Sequence, residues 1–459
     1  MFLKKNFGAL FFLFFWGAVF SQEKQLEKAN NAFKNYAFIE AREMYLKALE
    51  KGCSSMELYE KLGDSYYFNG ELERAARWYE VLQSLYPKQI TPEYQNKYFN
   101  SLKSTENSIE EIEVLPLLYA SDDNNEIEVE ISNTTIGYDI SSSEDKSANF
   151  IIDVLNINSE YSDYAPSFYQ NELVFASSRN KNNYSTILHE WNNQPFLDLY
   201  ATNTVKTDEK SITRLKGDIN TKFHESSATF SRDRKTVYFT RNNYSKRKSK
   251  TDEKGTVLLK IYRARYDRGK WGSVEELPFS SDEYSVAHPA LSHDEKFLYF
   301  ASDMPGSNGK SDLYVVEIKE DGSFGAIKNL GKQINTSGRE TFPYISDKGK
   351  LFFASDGHEG FGGLDIFMAI PKRNGSIKVY NLGKPINSVK DDFTFIINEE
   401  NKSGYFASNR KGGKGDDDIY GFRQVTSFPE SYEDSRPKTR LKLERVIKLK
   451  PSKVSTTSL

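Results

Sequence analysis

The sequence predicts a short α-helical solenoid followed by a five-bladed all-β propeller, and three observations carry that prediction. A strand motif ending in Phe-Ala-Ser or a close variant recurs five times between residues 173 and 409. A helical pattern with a period of 34 residues occupies the first hundred. The chain also holds 32 Phe and 28 Tyr among its 459 residues. Aromatic side chains suit the pleated, half-buried surface of strands, and a repeat of this length built from such strands marks propeller blades.

Residues 1–21 read as an export signal. Lys4 and Lys5 precede an apolar run of 14 residues from Phe7 to Phe20, and Val19 and Ser21 are the small residues before a cut at Gln22. The run is short for a hydrocarbon core of about 30 Å. No later stretch is apolar enough to cross one, so the mature chain is expected in the periplasm, at most peripheral to the outer membrane. A net charge of −3 points to neither nucleic acid nor an anionic surface. Cys53 is the only cysteine, which excludes an internal disulfide and reads as an inert thiol between two helices.

Residues 22–103 read as helices. Across the 34-residue period Ala29 aligns with Gly63, Ala41 with Ala75, Tyr45 with Tyr79, Ala48 with Leu82 and Cys53 with Pro87. Small residues let helices approach, an aromatic fills the gap, and proline ends the second helix. The pattern resembles the tetratricopeptide repeat, with a third, degenerate copy starting at Thr91-Pro92. The resemblance implies a groove that binds a peptide or helix of a partner.

Two connectors of opposite charge follow from composition. Residues 104–149 carry twelve acidic residues and one basic residue, Lys146, and read as a solvated linker. Residues 426–459 form a basic tail, in which Arg436, Lys438, Arg440, Lys442, Arg445, Lys448, Lys450 and Lys453 face Glu444 alone between positions 436 and 453. Disorder, an arm for an anionic surface and a strand pairing with the acidic linker are all open readings of the tail.

The propeller occupies residues 150–425. Phe175, Phe239, Phe300, Phe353 and Phe406 mark the second strand of each blade, at spacings of 64, 61, 53 and 53 residues. Nothing after Arg423 reads as an outer strand for blade five, whereas the segment 150–158 resembles 381–387, which links blades four and five. Phe150 to Val154 is therefore expected to close the ring, which also hides sheet edges. Asp198-Leu-Tyr, Asp312-Leu-Tyr, Asp365-Ile-Phe and Asp418-Ile-Tyr, with Pro-x-Phe/Leu-Ser at the first strand, resemble the TolB-type, WD-like propeller repeat. The resemblance implies a structural role for Asp198, Asp312, Asp365 and Asp418, accepting backbone hydrogen bonds in the turn before the third strand. Blade two has Lys260 there and is expected to be looser.

Two candidate sites follow. Asp163, Glu225, Glu340 and Asp392 precede the first strand of four blades and would converge near the channel mouth as a cation or basic-peptide site, or else each would bond blade backbone. Long loops in blades one and two carry Tyr184, Trp191, Tyr244 and Arg247, exposed groups of the kind that recognise partners. The glycine-rich turns lack the ending of a phosphate loop. The histidines show no metal spacing, Asp416-Asp417-Asp418 fits no EF-hand, and no Gly-x-Ser-x-Gly elbow occurs. No cofactor, metal, nucleic-acid partner or catalytic activity is expected.

The order of signal, tetratricopeptide helices and TolB-type repeats resembles a family of Bacteroidota envelope proteins, some associated with type IX secretion and gliding. Its larger members add an OmpA-like domain, which this sequence lacks. The resemblance implies a scaffold or adaptor for envelope or secretion-system proteins, with a receptor for a glycan or peptide as the alternative.

Overall fold

The computed structural model describes residues 24–103, 149–179, 188–189, 191–203, 211–245, 248–371, 376–426 and 428. The expected signal, nearly all of the acidic linker and most of the basic tail lie outside the described residues, as do Tyr184 and Arg247.

Five short helices come first: α1 (24–34), α2 (Phe38–Glu50), α3 (Met56–Tyr67), α4 (Leu72–Leu85) and α5 (Pro92–Lys103). Each buries one stripe against its neighbours, and Ser55 caps α3 by accepting from Leu58 N. The 34-residue period shows its cause in polar as well as apolar contacts. Tyr45 Oη donates to Asn30, and Tyr79 Oη donates to Asp64, the same step one period later. Gly63 is required beside the second tyrosine, because a Cβ there would lie 2.5 Å from the Tyr79 ring. Asp64 also receives Lys97 Nζ at 2.8 Å, which ties α5 to the stack. Cys53 is half-buried between α2 and α3, and burial pushes its thiol pKa up.

Five four-stranded antiparallel sheets follow. Blade one is β2 (Asp163–Tyr169), β3 (Glu172–Ser177), β4 (Asp198–Asn203) and β5 (Thr213–Arg214). Blade two is β6 (Glu225–Phe230), β7 (Thr236–Asn242), β10 (Leu259–Asp267) and β11 (Lys270–Glu276), with a small hairpin of β8 (Tyr244–Ser245) and β9 (Lys248–Ser249) between its middle strands. Blade three is β12 (Val286–Leu291), β13 (Phe297–Ser302), β14 (Asp312–Glu317) and β15 (Lys328–Asn329). Blade four is β16 (Glu340–Ile345), β17 (Leu351–Ser355), β18 (Asp365–Pro371) and β19 (Ile377–Asn381). Blade five is β20 (Asp392–Asn398), β21 (Ser403–Ser408) and β22 (Asp418–Gln424), completed on its outer side by β1 (Phe150–Val154).

Strand β1 runs antiparallel to β22, from Phe150 opposite Gln424 to Val154 opposite Tyr420. Phe150 is buried, its ring edge-on to Phe422 at 5.5 Å. The innermost strands β2, β6, β12, β16 and β20 touch in sequence, and β20 returns to β2. Each inner strand carries a bulge at one shared position, where a non-glycine residue has positive φ: Ala165, Ser227, His288, Phe342 and Thr394. A bulge bends and twists its strand, and repeated five times it turns the inner strands around the axis.

Candidate functional site

The four acidic residues at the start of the inner strands are fully buried. Each holds the turn that precedes it. Asp163 accepts from Ser159 N and Oγ, Glu225 from Thr221 N and Oγ1, Glu340 from Thr336 N and Oγ1, and Asp392 from Ser388 N. Three of them also hold an arginine at or just beyond the end of the second strand: Arg179 on Asp163, Arg241 on Glu225 and Arg410 on Asp392. Those guanidiniums continue to the carbonyls of Ile157, Ile219 and Ile386. In blade four the work is divided, with Ser355 Oγ on Glu340 and His358 on the Ile334 carbonyl. Burial pushes the carboxyl pKa values of Glu225 and Asp392 up, against the pull of their arginines. The ring of carboxylates expected at the channel mouth is therefore not an open one. These side chains hold the turns that lead from one blade into the next.

The residue after each isoleucine is an asparagine that spans to the previous blade. Asn158 accepts from Ile419 N and donates to Ile419 O; Asn220, Asn335 and Asn387 do the same with Leu199, Leu313 and Ile366. Each asparagine thus grips the residue that follows a turn aspartate. The Ile-Asn-[Ser/Thr] triplet recurs at a fixed offset before four inner strands, a signal of this clamp that the sequence itself carries.

The turn aspartates differ among themselves. Asp312 accepts from Asn308 N and Gly309 N, Asp365 from Gly362 N, and Asp418 from Lys414 N and Gly415 N. Asp198 instead takes Arg214 through two bonds, at 2.7 and 2.6 Å. Lys260 does not leave blade two loose. It is buried, with Nζ 2.6 Å from Glu276 and 2.5 Å from Asp282. The charge pattern of the other blades is inverted there.

The loop residues separate as well. Trp191 docks the helices onto the propeller: its ring stacks on Tyr36 at 6.0 Å, meets Phe38 edge-on at 4.7 Å, and its Nε1 donates to Phe68 O. Glu73 adds ion pairs to Lys390 at 3.1 Å and Lys411 at 3.4 Å. The helical region thus lies on the face formed by the loops of blades one, four and five. Tyr244 packs on Phe223 at 4.8 Å, within a cluster that includes Phe196, His189 and His224. Burial pushes His224 down to about 3.

The central channel narrows to a cavity of about 70 Å³. That is room for a few waters. Phe342 lines it and packs with Tyr164 and Phe393 behind the wall, with ring centroids 5.2 to 6.3 Å apart. Ser227 Oγ lies 2.8 Å from His288 Nδ1, and burial pushes that imidazole down to about 3. The contact joins the inner strands of blades two and three across the channel wall. The two residues are 61 apart in the chain, a pairing no sequence motif reveals. Among the described residues no group of three or more His, Cys, Asp and Glu gathers to hold a metal.

By fold, the chain is a five-bladed β-propeller with a helical region docked on one face. It matches no family model and no curated protein. Among solved structures it is similar to a TolB-like protein of Agrobacterium tumefaciens, at 14% identity over 61% of this chain and 92% of that one, with a TM-score of 0.36. A thermostable family-43 glycoside hydrolase is similar at 13% identity over 59% of this chain and 92% of that one, with a TM-score of 0.39. A puromycin-hydrolysing peptidase of Mycobacterium tuberculosis is similar at 13% identity over 59% of this chain, with a TM-score of 0.32, and this chain spans 37% of its length. The expectation that the chain has no catalytic activity is corrected by these neighbours. Propellers of hydrolases and peptidases stand among them, so the fold does not exclude an enzyme. No described helix is long and apolar enough to cross a membrane.

Proposed function

We propose that this chain is an exported adaptor of the cell envelope, located in the periplasm or at the inner side of the outer membrane. In this reading the helices are tetratricopeptide-like and receive a peptide or helix of a partner, and the propeller presents that partner to a second component. Type IX secretion or gliding machinery of a Bacteroidota cell is the assembly that the sequence resemblance favours. The observation that carries the reading is the docking of Trp191 among Tyr36, Phe38 and Phe68, reinforced by Glu73 on Lys390 and Lys411. Contacts of this kind turn two modules into one platform and fix the distance between their binding surfaces. The receptor alternative finds little support in the channel, because 70 Å³ is well below the roughly 300 Å³ at which ligand pockets begin.

The test is affinity capture from envelope fractions with the full chain and with a chain lacking residues 22–103. The expected result is a defined set of envelope proteins retained by the first and lost by the second. Identical capture by both chains would remove the helices from the proposal.

A further inference from the structure

We propose that a cleft on the face of blade five that turns toward blade one binds a small zwitterion of the amino-acid type. The cleft holds about 250 Å³ and is lined by Asp153, Leu155, Ser403, Tyr405, Gly421 and Arg423. That volume lies just under the range of about 300–1,000 Å³ found for drug-sized ligands, which sets the occupant at metabolite size. The site is separate from the helical platform, so the inference does not depend on the adaptor reading.

Strand register explains why the cleft exists. Asp153 pairs with Gly421 and Gly421 with Tyr405, forming one row across β1, β22 and β21. Two residues along, Ile151, Arg423 and Ser403 form the next row on the same face, since side chains alternate with a period of two. That face turns toward blade one, where the Phe168 ring lies 6.0 Å from the Tyr405 ring. The residue after the Asp-x-aromatic step, or its Lys260 counterpart, is Ala201, Arg263, Val315 and Met368 in blades one to four, and Gly421 in blade five. A Cβ on Gly421 would stand 3.2 Å from Leu155 Cδ2 and 3.9 Å from Tyr405 Cδ1, inside the cleft. Blade five therefore lacks the side chain that occupies this position in every other blade.

The chemistry around the gap specifies its occupant. Asp153 lies across the strand pair from Gly421 and Arg423 two residues along from it, both exposed, and among the described residues neither makes an ion pair. A ligand carboxylate would accept two parallel hydrogen bonds from the Arg423 guanidinium, and a ligand ammonium would donate to Asp153. A neutral ligand would displace water from both charges and return no charge to either. Tyr405 and Leu155 supply an apolar wall for the ligand's own side chain.

The test is isothermal titration of the full chain with each of the free L-amino acids, followed by a panel of neutral monosaccharides. The expected result is saturable one-to-one binding of at least one amino acid. Arg423→Ala and Asp153→Asn should each weaken it roughly ten-fold or more, as loss of a charge-assisted hydrogen bond implies. Gly421→Val should abolish it by filling the cleft. Asp153 and Arg423 are exposed, so their variants keep the test decisive if Gly421→Val fails to fold. Absence of amino-acid binding, unchanged affinity in Arg423→Ala, or binding of monosaccharides alone would each overturn the proposal.

Discussion

The indole of Trp191 stands edge-on to the ring of Phe38, with centroids 4.7 Å apart and 85° between the planes. One residue belongs to a loop of blade one and the other opens α2, so the contact joins the two halves of the molecule. Tyr36 and Phe68 complete the aromatic set around the indole. Edge-on and stacked pairs each add about 0.5–1.5 kcal/mol beyond area burial. Three such pairs together therefore outweigh the partly exposed ion pairs at Glu73, each worth about 0.2–1 kcal/mol.

Replacing Trp191 with alanine should undock the helical region without unfolding the propeller. The expected cost to docking is about 2–3 kcal/mol. Calorimetry should show one transition in the parent and a separate, lower helical transition in the variant, and small-angle scattering should show a larger radius of gyration. An unchanged melting profile would mean that other contacts hold the helices.

Asn335 should matter more than its polarity suggests. Its amide both accepts from Leu313 N and donates to Leu313 O, at 2.8 and 3.1 Å, with all three groups buried. Asn335→Ala would leave a buried donor and acceptor unmatched, for an expected loss of about 2–3 kcal/mol. Asn335→Asp should recover only the bond from Leu313 N. Denaturant titration measures both, and a loss below about 0.5 kcal/mol would show that water replaces the clamp.

Blade count was legible because the second strand repeats a hydrophobic block, ending in Ala-Ser in four of the five blades, at spacings of 53 to 64 residues, and its pattern survives divergence in loops. The helical period was legible for the same reason: Gly63 and Tyr79 touch, so neither varies freely. The docking of Trp191 was not legible, since Phe68 lies 123 residues away and no periodicity links them. The acidic residues before the inner strands stood out by position, yet position alone does not distinguish an open ring from buried turn ligands. Arg179, Arg241 and Arg410 decide that, and Arg241 sits at a different offset from the motif phenylalanine than the other two. Lys260 looked like a defect because its partners Glu276 and Asp282 lie outside the aligned motif.

Lys260 should tolerate methionine better than aspartate. Lys260→Met keeps the buried stem but leaves Glu276 and Asp282 to solvent, which both partly reach, for an expected cost of about 1–2 kcal/mol. Lys260→Asp, which restores the residue of the other blades, would set three carboxylates together and should cost more than about 3 kcal/mol. Acid separates the cases. The hydrogen bond from Lys260 holds Asp282 down at about 2. A depressed carboxyl pKa gives stability that is present above the unfolded value near 4 and fades as pH falls through 2. That acid-side loss should be visible in the parent and weaker in Lys260→Met.

Asp417 should show the opposite pH dependence. Burial, together with repulsion from Asp416, Asp391 and Asp418, pushes its carboxyl up to about 7, although Ser162 donates to it. A raised carboxyl pKa means that the folded state favours the neutral form. Its contribution to stability is full below the unfolded value near 4, declines as pH rises, and is lost once pH passes the folded value near 7. Asn cannot ionise, so Asp417→Asn should match the parent at pH 4 and exceed it at pH 8. The residue is only partly buried, and solvent screening brings the expected gain at pH 8 to about 1–2 kcal/mol. Melting temperatures of the two proteins at pH 4, 6 and 8 measure the difference. A gap that stays constant across that range would show that Asp417 ionises normally and that its three acidic neighbours are screened from it.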